Sequence, residues 1–239
     1  MKVLTPIYIT PAMLTSSTVA ETDHANWVVD TAYTAGQKVI RLTTHRIYEA
    51  LTPTTGDTPE TSPTKWLDLG ATNRWKAFDQ KVGTATTQTD SMEWVIKPGQ
   101  TIGSVGMLEL VAESVRVQVS DVTDGLVYDR TQTLTGAITS ADWFTHFFEP
   151  VSRRPFALFP DLPSYRDPTI TITVSGLAGE TVECGVCLLG TYTEFADAVR
   201  YKASAGIVDY SKKTVDDFGN VQITERAFSK RASWQMLVA

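Results

Sequence analysis

Three histidines, His24, His45 and His146, are the imidazoles available to a chain of 239 residues. A general base near neutral pH would most naturally be one of them. His146 lies between Thr145 and Phe147 in an aromatic run, the setting of a packed histidine rather than of a base. No Gly-x-Ser-x-Gly elbow and no His-Glu-x-x-His helix motif occurs, so hydrolase and metalloprotease chemistry lacks its usual parts. Cys184-Gly185-Val186-Cys187 has CxxC spacing, but these are the only two cysteines. Zinc would need a second ligand pair. On a strand the two thiols would point to opposite faces, which predicts buried free cysteines. Asp121, Asp124 and Asp129 flank a hairpin, and Asp209, Asp216 and Asp217 cluster later. Neither group has the spacing of a calcium loop, and turn chemistry accounts for both. Asp217-Phe218-Gly219 spells a kinase motif without the glycine-rich loop, lysine or catalytic loop that a kinase needs. The expectation is a protein with no catalytic residue, no metal and no cofactor.

The aromatic residues carry a stronger signal. Trp27, Tyr33, Gly36, Tyr48, Pro59 and Trp66 fall in the order Trp-x5-Tyr-x2-Gly-x11-Tyr-x10-Pro-x6-Trp. Large rings alternate with turn residues over about forty positions without a helical period, the pattern of a very small β-module. The stretch resembles the chitin-binding-type carbohydrate modules of families 5 and 12. Tyr33-Thr34-Ala35-Gly36-Gln37-Lys38-Val39, Tyr48-Glu49-Ala50, Gly56, Pro59 and Trp66 follow that motif in order. One departure is the turn Arg41-Leu42-Thr43-Thr44-His45-Arg46, bulkier and more basic than the family's. The resemblance implies sugar stacking on Trp27, Tyr33, Tyr48 and Trp66, with Tyr33, Tyr48 and Trp66 the best surface candidates. The competing reading is that Trp27 and Trp66 are simply the core of a module too small to fill with aliphatics.

Charge narrows the partners. Net charge is −6, which argues against duplex nucleic acid. Residues 196–239 hold seven Lys/Arg against five Asp/Glu, leaving −8 for residues 1–195. An acidic body with a mildly basic tail suits a protein–protein contact. No run of eighteen apolar residues exists, so no membrane insertion is expected. Met1-Lys2-Val3-Leu4-Thr5-Pro6 lacks the apolar core of a secretion signal, pointing to synthesis in a cytoplasm.

Short alternating segments dominate the remainder. Ser91–Ile96, Ile102–Leu110, Ser114–Ser120, Leu126–Tyr128, Trp143–Phe148, Phe156–Phe159, Thr169–Val174 and Thr181–Gly190 read as strands. With no long amphipathic helix, the fold class is all-β. The expected organisation is an N-terminal strand over 1–21, the small module over 22–70, an antiparallel β-sandwich over 71–195 and an extended β-arm over 196–239. Asn73-Arg74-Trp75-Lys76-Ala77-Phe78-Asp79, followed by Thr84 and Thr86, is similar to the opening of galactose-binding-like jelly rolls, with Gln80 where those carry Gly.

Taken in order, "ATNRWKAFD", "VYDRT", "FFEP", "IVDYSKK" and "ITERAFSKR" resemble a family of tail-region virion proteins of long-tailed phages and prophages, over most of 1–235. The resemblance implies a structural protein of the tail tip or baseplate, forming a homo-oligomeric ring, with other tail proteins and host-surface polysaccharide as partners. Lys212, Lys213, Arg226, Lys230 and Arg231 would face acidic neighbours, with Phe228 and Trp234 as apolar anchors. The alternative is a stand-alone carbohydrate-binding protein without catalytic activity.

Overall fold

A computed structural model describes residues 2–135, 153–194, 204–215, 220–226 and 228–233. The chain divides into two compact units, Leu4–Tyr192 and a second made of Thr193–Ala239 with Met1–Val3. Strands supply almost all of the regular structure, as the alternating segments predict.

Two strands open the chain, β1 (Lys2–Pro6) and β2 (Leu14–Ser17). The small module follows, with β3 (Ala32–Tyr33), β4 (Lys38–Arg41), β5 (Arg46–Ala50), β6 (Thr54–Thr55) and β7 (Trp66–Ala71). Strands β4, β5 and β7 form a three-stranded antiparallel sheet, and β3 pairs with β6. Gly36 turns the chain from β3 into β4 at φ +86°, a conformation that glycine adopts without a Cβ clash. Its N–H reaches Ala50 O at 2.7 Å, tying the turn to β5. That is the physical role of the Tyr-x-x-Gly spacing.

A short 3-10 turn, Lys76–Phe78, leads into the sandwich. Gln80 sits at φ +55°, which explains why glycine is favoured at that place in similar openings. The sandwich strands are β8 (Thr86–Thr89), β9 (Ser91–Ile96), β10 (Ser104–Val111), β11 (Ser114–Asp121), β12 (Gly125–Thr133), β13 (Phe156–Phe159), β14 (Thr169–Ser175) and β15 (Thr181–Glu194). One five-stranded sheet runs β1-β15-β10-β13 with β8 beside β15, and the other runs β12-β11-β14-β9-β2. Their inner faces share one core that includes Trp94, Ile172 and Val117 from one sheet and Met107, Leu189 and Phe159 from the other. On β11, Val115, Val117 and Val119 are buried while Arg116 is exposed, as strict alternation requires.

Two expectations need correction. The single N-terminal strand expected over 1–21 is two strands, and they lie in different sheets, since β1 joins β15 and β2 pairs antiparallel with β9. Cys184 and Cys187 do not face opposite sides of their sheet, since both enter the same core. The strand is irregular between them. Leu108 pairs with Val186 and Leu110 with Cys184, while Glu109, opposite Gly185, takes φ +54°. This step shifts the alternation, so residues three apart point the same way on both strands. The expected aromatic strand Trp143–Phe148, with His146, lies outside the described residues.

The second unit holds β16 (Ser204–Asp209), β17 (Lys212–Val215), β18 (Val221–Thr224) and β19 (Phe228–Ser233). Strand β16 pairs with β19, and β17 with β18. The described strands of the expected β-arm therefore pair inside the chain, as two two-stranded sheets.

Candidate functional site

Three of the four rings expected to stack on sugar are core residues rather than a stacking surface. Tyr33, Tyr48 and Trp66 are buried together with Val39 and Ala50, and Trp66 is only 2% exposed. Tyr33 and Trp66 meet edge-on at 5.3 Å between centroids. Their polar atoms are used inside the module as well. Tyr33 Oη accepts from Val28 N at 2.7 Å, and Trp66 Nε1 donates to Asp57 O at 3.0 Å. A ring held on both sides by its own module has no face left for a pyranose. Trp27 packs half-buried against this core, and the Arg41 guanidinium lies 4.6 Å from its ring centroid. Arg41 is itself held by Glu60, with Nε 2.8 Å from Oε1. The module's aromatic spacing thus encodes a core, because five buried residues must close a three-stranded sheet.

The bulky basic turn that departs from the module family has a clear task. His45, at φ +54°, lays its ring on Trp75 of the sandwich opening at 4.5 Å between centroids. Its Nδ1 lies 2.9 Å from Glu21 Oε1. Glu21 is a buried carboxylate, and Thr72 Oγ1 donates to it at 2.8 Å. Arg74 approaches its other oxygen at 3.6 Å and donates through Nε to Val19 O at 2.7 Å. A buried carboxylate needs several donors to offset its lost hydration. Glu21 draws them from the module turn (His45) and from the sandwich entry (Thr72 and Arg74). This network fixes the module to the sandwich. Sequence reasoning singled out the turn but not its partner, since Glu21 is twenty-four residues away and nothing local marks it.

Beside this junction lies a cleft of about 550 Å³, bordered by Thr18, Asp23, Asn73, Lys76, Thr87 and Gln88. Asn73 is locked in place, receiving Thr87 N at 2.9 Å through Oδ1 and donating to Thr87 O at 2.8 Å. Asp23 accepts from Asn73 N at 3.0 Å. Gln88 Oε1 has no hydrogen-bond partner. Hydroxyls, amides, one carboxylate and one ammonium face this space. Such groups bind polar ligands by hydrogen bonding.

Nucleophilic chemistry is poorly supplied elsewhere among the described residues. Burial pushes the Cys187 thiol up to about 12 and the Cys184 thiol well above its ordinary range, helped in Cys184 by its neighbour. Neither forms the reactive thiolate near neutral pH. Among the described residues, no group of three or more His, Cys, Asp or Glu is placed to hold a metal. Asp121 accepts from Thr123 N at 2.8 Å, and Asp129 pairs with Arg116 Nε at 2.8 Å. Asp121 has the turn role expected of it, whereas Asp129 lies within β12 and holds a strand-surface ion pair instead of a turn.

The hairpin unit presents a different surface. Lys212, Lys213, Arg226, Lys230 and Arg231 are all exposed, and Trp234, Asp216 and Asp217 lie outside the described residues. Ile207, Ile223 and Phe228 converge on a cleft of about 490 Å³, edged by Asp209, Glu225 and Arg226. Phe228 is 62% exposed. Among the described residues of this unit no buried apolar cluster forms.

No helix among the described residues is long and apolar enough to cross a membrane. No family model matches the chain. No curated protein matches it either. Among solved structures, chitosan-binding module 1 from a chitosanase/glucanase of Paenibacillus sp. IK-5 aligns at a TM-score of 0.31 and 11% identity, covering 48% of this chain and 81% of that one. A selenomethionine-labelled point mutant of the same module aligns at the same TM-score and identity, covering 82% of its own chain. At that TM-score and identity, neither likeness bears on what this chain binds.

Proposed function

We propose that this chain is a non-enzymatic structural protein of a phage tail tip or baseplate, joined to its neighbours through the hairpins of 204–233. The observation that carries this reading is the exposure of Ile207, Ile223 and Phe228 on two-stranded sheets amid basic side chains. An isolated two-stranded hairpin is marginal in water, and open strand edges accept further strands. The arm's basic excess over an acidic body supports contact with another copy or with another tail protein. Host-surface polysaccharide is the proposed second contact. It is placed at the polar cleft near Asn73, Lys76 and Gln88 rather than on the module's aromatics, whose faces the core consumes.

The test is incorporation. Ile223→Asp and Phe228→Asp are made in the full chain and followed into particles by quantitative immunoblotting of purified virions. Loss of incorporation by a folded variant is the expected result, and wild-type incorporation of both variants overturns the reading. For the second contact, Lys76→Ala with Gln88→Ala is expected to lower retention on host polysaccharide by about fivefold or more, roughly one hydrogen bond's worth. A wild-type protein that is not retained removes the glycan role.

A further inference from the structure

The sandwich has two outer faces, and they differ in kind. On the β9-β14-β11 side, the outward residues Glu93, Thr173, Arg116, Thr171 and Gln118 are polar and aligned across the strands. This is the solvated face that an antiparallel sheet ordinarily shows. On the β15-β10-β13 side the corresponding residues are Leu188, Val186, Leu108, Phe156 and Leu158, with Leu4 reaching in from β1. Leu108, Phe156 and Leu158 are 48%, 53% and 46% exposed. At the centre stands Gly106, where an added Cβ would lie 3.6 Å from Leu4 Cδ1 and 3.7 Å from Leu158 Cδ1. The missing side chain lets both leucines close over the strand, so the apolar surface is continuous. A contiguous patch of this kind marks an interaction site.

We propose that this face is a symmetric interface with a second copy of the chain, packed sheet against sheet. The centre of this face is apolar, while Arg130, Gln132 and Arg154 border Phe156 and Leu158 along its β13 edge and Glu109 of β10 lies beside Gly185. Two charges of opposite sign, Arg154 and Glu183, lie at the same end of the face. Arg154, two residues before β13, borders the same cleft as Phe156 and Leu158. Glu183 lies opposite Val111, between inward-facing Val182 and Cys184, at the same end of β15. A two-fold axis parallel to the strands lays β13 of one copy over β15 of the other. Each Arg154 then meets the second copy's Glu183, while Phe156 and Leu158 lie over Leu188 beside the already buried Val186. Aligned packing of two such faces about 10 Å apart is a common sheet–sheet arrangement, and a two-fold contact must be self-complementary in this way.

This contact does not rest on the hairpin reading, and the two separate experimentally. The full chain is measured by sedimentation velocity, with circular dichroism confirming that each exposed-site variant is folded. The wild type is expected as a dimer or a multiple of one. Phe156→Asp and, independently, Arg154→Glu are expected to reduce the mass at least twofold. Combining Arg154→Glu with Glu183→Arg is expected to restore it. A monomeric wild type overturns the proposal. So does an unchanged mass in both single variants, which would leave any association to the hairpins, where Phe228→Asp reports it. Failure of the charge exchange to restore the mass overturns the two-fold register.

Discussion

The aromatic module and the C-terminal hairpins are built from similar material and solve opposite problems. Both consist of short strands in two- or three-stranded antiparallel sheets. The module turns its large rings inward, so that Tyr33, Tyr48 and Trp66 share one core and use their own polar atoms internally. The hairpins leave Ile207, Ile223 and Phe228 outside. The difference follows from geometry. In the module, Gly36 and the 51–65 loop fold the chain back so that β3 and β6 can cover the face of β4-β5-β7. In the hairpins each sheet has two strands, and nothing described in that unit lies across them. A small β-unit either closes on itself or depends on another surface.

That contrast breaks most readily at Trp66. Trp66→Ala is expected to cost about 3–5 kcal/mol, the range for a large buried aromatic. Limited proteolysis should then cut within residues 22–71 while the sandwich stays intact. A variant whose module resists protease as the wild type does would show that the rings are not its core.

A smaller effect is expected at the module's attachment. Glu21→Ala strands His45, Thr72 and Arg74 without their shared acceptor. Because His45 and Arg74 keep partial access to water, the cost is about 1–3 kcal/mol. It should read as a lowered melting temperature, with Glu21→Gln retaining part of the stability through its amide oxygen. Equal melting of wild type and Glu21→Ala would mean that the module sits on the sandwich by apolar contact alone.

The least effect on folding is expected in the hairpins. Phe228→Asp replaces an exposed side chain that no core depends on, so the isolated protein should change by about 0.5 kcal/mol or less. Its consequence belongs to assembly. A large loss of melting temperature would show that the ring is already covered within one copy, and the contrast with the module would collapse.

Much of the sandwich was legible from local pattern. Alternation on β11 placed Val115, Val117 and Val119 inward, and Asp124-Gly125 marked a hairpin whose glycine takes φ +71°. Alternation fails where two strands share an irregular step. Glu109 and Gly185 reset the phase, and both cysteines turned into one core against expectation.

By itself the sequence determined the strand periodicity, the turn positions, the aromatic spacing of 27–66 and the charge contrast between body and tail. All of these are set by neighbouring residues through pleat geometry and backbone sterics. Only the tertiary structure decided which face of each ring was left open. That depends on what the rest of the chain lays against it, so Trp66 became core and Phe228 stayed at the surface. The same holds for Glu21, whose donors come from residues 45, 72 and 74. A carboxylate's role is set by the groups that fold around it, and sequence distance does not encode their approach.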